Sequence, residues 1–173
     1  MIYKSLLNHR LTKDEIKNIV LFIKGEPNDV YKEKLYQMTF DDDNRISTNA
    51  LWVFSHLASV DNQWLCSKRD NFINRSLLEH NTSKLRLILC ILLRQPFYEE
   101  DVRTDFIDYC LMRLTDQKSP YAIRAQCIKL AYKQMRYWPD LLSELRQTLE
   151  MMSCAPLSPG LQSARQQIMN KLR

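Results

Sequence analysis

An all-α fold of stacked antiparallel helix pairs is predicted by three features of the 173-residue sequence. Glycine occurs only twice, at Gly25 and Gly160, so hairpin turns, phosphate-cradling loops and dinucleotide fingerprints are poorly supported. The good helix formers Leu, Lys, Arg, Gln and Met dominate, while the β-branched residues are scattered rather than alternating. Finally, the chain echoes itself. Ser119-Pro120 and Ser158-Pro159 each open an apolar stripe, and Ala50, Leu87, Ala125 and Ala164 fall at matching positions separated by 37, 38 and 39 residues.

The elements follow in order. Thr12 as N-cap and Glu15 at the third helical position form a capping box, and Leu11 can staple onto Ile16. Ile16, Ile19, Val20 and Ile23 recur at helical spacing up to Gly25, which offers a left-handed C-terminal stop. A second helix is predicted over 28–39, with Val30, Leu35 and Met38 inward. The acidic stretch Asp41-Asp42-Asp43-Asn44 ends it and caps the next helix. An EF-hand reading fails, because Ile46 and Trp52 stand where its loop needs Gly and Glu.

Helices with apolar stripes are then predicted over about 47–58, 83–93, 120–135 and 159–172, with partner helices over about 63–78, 99–114 and 139–152. Ser119 and Ser158 serve as N-caps, with Pro120 and Pro159 at the first helical position, where a missing N–H is harmless. The whole chain reads as one domain. It comprises a degenerate first pair at 12–39, repeats at 45–78, 83–114 and 119–152, and a partial repeat at 158–173. Leu89, Leu92, Cys127, Ile128, Leu145 and Leu149 are expected in its core.

Composition narrows the function classes. The five cysteines are odd in number and contain no C-x-x-C pair, which suits reduced thiols of a cytoplasmic protein. The first residues lack the apolar region of a signal peptide, and the longest unbroken apolar run, 87–93, is far too short to span a membrane. The net charge of +5 lies wholly in residues 84–173, with 14 basic against 9 acidic residues, while residues 1–83 hold 11 of each. Such a surplus permits an acidic partner without demanding one.

Self-similarity near 40 residues in two-helix units is the mark of helical-repeat proteins. Over Asn49-Ala50-Leu51, Leu85-Arg86-Leu87, Ile123-Arg124-Ala125 and the partner segment Leu141-Leu142-Ser143-Glu144-Leu145, the chain resembles HEAT-like and armadillo-like repeat proteins of the short bacterial type. The resemblance implies a solenoid acting as a non-enzymatic scaffold for a protein or peptide. It also implies an inter-repeat structural role for Arg86 and Arg124, with Asp116 as the partner of Arg124.

One surface stands out. Lys129, Lys133 and Arg136 lie at i, i+4 and i+7 on the face opposite Cys127, Ile128 and Ala131, with Tyr132, Tyr137 and Trp138 nearby. These charges are expected to project into solvent together, and with Trp138 they form the candidate binding site. A basic stripe among aromatics also suits nucleic acid, as in the alkylation-repair glycosylases that use HEAT-like repeats, so nucleic-acid binding is the alternative. No cofactor, metal site or catalytic apparatus is expected: His9, His56 and His80 are scattered, and no nucleophile elbow or Cys–His pair is visible.

Overall fold

The computed structural model describes residues 2–57, 61–152 and 156–172, and every regular element among them is helical. The chain divides into two compact units, Met1–Gln95 and Pro96–Arg173.

The first unit contains α1 (Ile2–Leu7), α2 (Lys13–Phe22), α3 (Asp29–Met38), α4 (Asn44–Phe54), α5 (Asn62–Cys66), α6 (Arg69–Leu78) and α7 (Thr82–Leu93). Helix α4 packs against α1, α2, α3 and α7, and α7 also packs on α6. The capping box of α2 is present: Thr12 Oγ1 accepts from the Glu15 amide at 3.3 Å, and Glu15 Oε2 accepts from the Thr12 amide at 2.7 Å. His9 Nε2, 2.9 Å from Glu15 Oε1, and then Thr12 hold the Glu15 carboxyl down at about 2. Leu11 and Ile16 are both buried, as the staple requires. Asp43 caps α4 through the Arg45 and Ile46 amides, and Asn81 caps α7 through Ser83 and Lys84.

Three expectations need correction here. The α2 helix ends before Gly25, whose φ of 88° and ψ of 161° lie outside the left-handed helical region. That glycine serves instead a buried ionic cluster, its amide donating to Asp61 Oδ1 at 2.9 Å and its carbonyl accepting from Lys32 Nζ at 3.0 Å. Lys32, 1% exposed, also reaches Asp29 and Asp61 carboxylates at 2.9 Å each. Burial pulls its pKa down, but hydrogen bonds to both aspartates outweigh that and leave it raised. Secondly, Val30 is exposed while Leu35 is buried and Met38 half-buried, because Lys32 takes the inward position on α3. Thirdly, the helix predicted over 63–78 is broken between α5 and α6, where the Ser67 hydroxyl donates back to the Trp64 carbonyl at 2.8 Å.

The second unit contains α8 (Thr104–Thr115), α9 (Tyr121–Met135), α10 (Pro139–Met151) and α11 (Pro159–Lys171). Helix α9 packs against α8, α10 and α11. Ile123, Arg124, Cys127, Ile128, Leu130, Ala131, Gln134 and Met135 are all buried, so α9 hides more than one face, whereas α10 buries only Leu145 and Leu149. All six residues expected in the core are buried.

The start of α8 is shorter than predicted. A single 3-10 turn over Glu99–Asp101 is followed by extended Val102 and Arg103. Ser158 caps α11 by accepting from the Leu161 amide at 3.4 Å, with Pro159 at the first helical position. Ser119 does not cap α9. Its hydroxyl turns back to donate to Asp116 Oδ2 at 2.7 Å, which moves the N-cap to Pro120.

Buried leucines at helix contacts set a direct test. Leu92→Ala, at a fully buried position of α7, is expected to lower unfolding stability by about 2 to 5 kcal/mol in urea titration, from lost transfer energy and a residual cavity. Ser158→Ala is expected to lose about 1 kcal/mol through its cap.

Candidate functional site

The basic stripe does not form the solvent face that its spacing suggests. A helix packed against three neighbours has little free circumference, and on α9 Lys129 and Lys133 are both half-buried. The Lys133 ammonium lies 5.6 Å from the centroid of the buried Phe97 ring. Burial, and then the Arg136 charge, pull its pKa down from 10.5 to about 8.

Arg136 is exposed, but its guanidinium is engaged. It donates to the Phe97 carbonyl at 2.9 Å and to the Tyr137 hydroxyl at 2.6 Å, and Tyr137 in turn donates to the same carbonyl at 3.0 Å. The first unit uses the same device, where Arg94 at the end of α7 donates to the Ser55 carbonyl at 2.7 Å and to the Leu57 carbonyl. Both arginines therefore tie a helix end to a loop carbonyl about one repeat back.

Arg124 is buried and performs a related task. Its Nε donates to the Leu114 carbonyl at 3.0 Å, in the last turn of α8. Arg165 does the same for the Leu149 carbonyl of α10 at 2.6 Å. These carbonyls have no partner within their own helices, so the arginines satisfy groups that would otherwise be orphaned. Asp116, the expected partner of Arg124, accepts instead from Ser119 and from the Lys118 amide at 2.9 Å, and both bonds hold its pKa below the usual value. Arg86, at the matching position of α7, is exposed.

Trp138 parts company with the charges. It stands at the N-cap position of α10, packs edge-on against Tyr137 at 5.9 Å, and helps to line a groove of about 310 Å³ between α8 and α10. Val102, Ile107, Leu111 and Leu141 supply its apolar wall, while the exposed Asp108 and Glu144 carry its carboxylates. Each helix contributes a leucine and a carboxylate three residues apart, Asp108 with Leu111 and Leu141 with Glu144, which places both on one face. The groove exists because α10 spends only Leu145 and Leu149 on the core, leaving Leu141 half-buried. That surplus of apolar residues on α10 was the available sequence signal. Its pairing with α8 was not legible, because it depends on which face of α8 stays open.

Among the described residues no group of three or more His, Cys, Asp and Glu could hold a metal ion, and no helix is long and apolar enough to cross a membrane. Cys66 and Cys90 are half-buried free thiols and Cys110 and Cys127 buried ones; Cys154 lies outside the described residues. Burial, reinforced by the neighbouring Cys127, pushes the Cys110 thiol well above its usual range, which suits a core residue rather than a nucleophile.

The Lys133 environment gives a pH dependence of defined sign. Between about 8 and 10.5 the unfolded chain holds more protons on this lysine than the folded one, so its contribution to stability rises with pH across that window. Lys133→Met is accordingly expected to stabilise the protein at pH 7 and to lose that advantage by about pH 10, as read from urea midpoints of both proteins at each pH.

A family model describing the HEAT repeat domain matches residues 3–172. No curated protein and no solved structure matches the chain. The match takes in every helix of both units, including the α4, α7, α9 and α11 series whose echo is visible in the residues. The chain belongs to the HEAT repeat family.

Proposed function

We propose that this chain is a non-enzymatic scaffold whose helix pairs stack as a right-handed superhelix and whose α8–α10 groove binds a segment of a partner protein. The observation that carries this reading is the placement of Trp138 in an open groove with an apolar wall. Tryptophan at such a site offers a large contact area at little entropic cost, which is why it dominates binding energy at protein interfaces. The stripe of Lys129, Lys133 and Arg136 is less suited to gripping nucleic-acid phosphates. Lys129 and Lys133 are half-buried, and one Arg136 nitrogen is already engaged by the Phe97 carbonyl and the Tyr137 hydroxyl.

Panning a random dodecapeptide library on the immobilised protein tests the reading. Trp138→Ala is expected to weaken the selected peptides by at least about tenfold, the loss of a hot-spot side chain, while leaving the thermal midpoint within a few degrees. Lys129→Ala with Arg136→Ala should leave those peptides bound. The opposite pattern, with peptides lost from the stripe variant and kept by Trp138→Ala, would assign the site to the stripe.

A further inference from the structure

We infer that the partner segment entering the α8–α10 groove is basic, an apolar side chain flanked by Lys or Arg. This rests on the reading of the groove as a peptide site and specifies its occupant. Three observations converge on it. Asp108 and Glu144 line the groove from opposite helices, and neither carboxylate has an ion-pair partner among the described residues. The neighbouring Asp105, by contrast, is already held by Arg103 Nε at 3.1 Å. Trp138 shares the same groove and presents an aromatic ring, the side chain over which ammonium and guanidinium groups bind best.

The charge argument follows from desolvation. A neutral apolar segment that covered this groove would strip water from two carboxylates and give nothing back. An acidic segment would add repulsion. A Lys or Arg beside the apolar anchor replaces the lost water with a charge-assisted hydrogen bond, and a guanidinium can also lie on the indole face. The groove is thus matched to a cation even though the chain as a whole carries a net charge of +5. Its preference is opposite to the one the basic stripe suggests.

Three fluorescein-labelled dodecapeptides of one design test the inference, each with a central Leu-x-x-Leu flanked by Arg, by Gln or by Glu. Fluorescence anisotropy is expected to rank them Arg over Gln over Glu, with the Arg peptide about tenfold tighter than the Gln peptide at low salt and the gap closing as salt rises. Asp108→Asn with Glu144→Gln, both at exposed positions, should bring the Arg and Gln peptides together. Trp138→Ala should weaken all three. If Arg and Gln peptides bind equally and both depend on Trp138, the groove reading stands and the basic occupant is overturned. If the Glu peptide binds best, or the carboxamide variant keeps the full Arg preference, the inference is likewise overturned. Failure of the Arg peptide to bind at millimolar concentration overturns both, as does Trp138-dependent binding of a duplex oligonucleotide in its place.

Discussion

A pair of short amphipathic helices cannot bury its apolar stripes alone, and everything else in this chain follows from the need to stack another helix on it. The constraint is plainest at α9, which has α8, α10 and α11 packed around it and hides eight of its fifteen residues. Small side chains make this possible. On α9 Ala131 is fully buried and on α11 Ala164 is nearly so, which lets the helices approach closely. In the first unit α4 plays the same part, with Ala50 fully buried and α1, α2, α3 and α7 around it.

Stacking decides where the polar groups go. The carbonyls that end each helix need donors, and arginines supply them: Arg94 for the end of α4, Arg124 for α8 and Arg165 for α10. Arg136 likewise closes the Phe97 carbonyl. A charge that looks like a ligand contact in the sequence is thereby drawn into the architecture. The same crowding half-buries Lys133 and lowers its pKa. What stays open is a groove between α8 and α10, where Trp138, Leu141 and Leu111 remain partly exposed.

The fold was largely legible in the residues because its signals are local. The Thr12 capping box, the Ser158 cap and the apolar stripes each depend on neighbours within one or two turns, and the 37- to 39-residue echo is a recurrence of such local patterns along the chain. Ser119 misled because Asp116, three residues before it, competes for the hydroxyl. Lys32 was passed over because its partner Asp61 lies beyond the whole of α4, and a lysine on α3 reads as solvated until that aspartate is in place. The stripe departs from the solvent face its spacing suggests for a physical reason too. A helical wheel assigns one inner and one outer face, whereas a helix inside a stack has neighbours on several sides. Lys129, Lys133 and Arg136 were therefore found by periodicity but misplaced by it, while Trp138, chosen only for its nearness to them, stands in the groove.

If stacking on α9 holds the second unit together, α9 should be the last of its helices to open, since local opening follows the number of buried contacts a segment must give up. Native-state amide hydrogen exchange measures this directly. The account predicts that amides of Cys127 to Ala131 exchange slowest within 96–172, at the free energy of global unfolding, while α10 outside Leu145 and Leu149 opens at lower energy. Protection in α10 equal to or above that of α9 would contradict it.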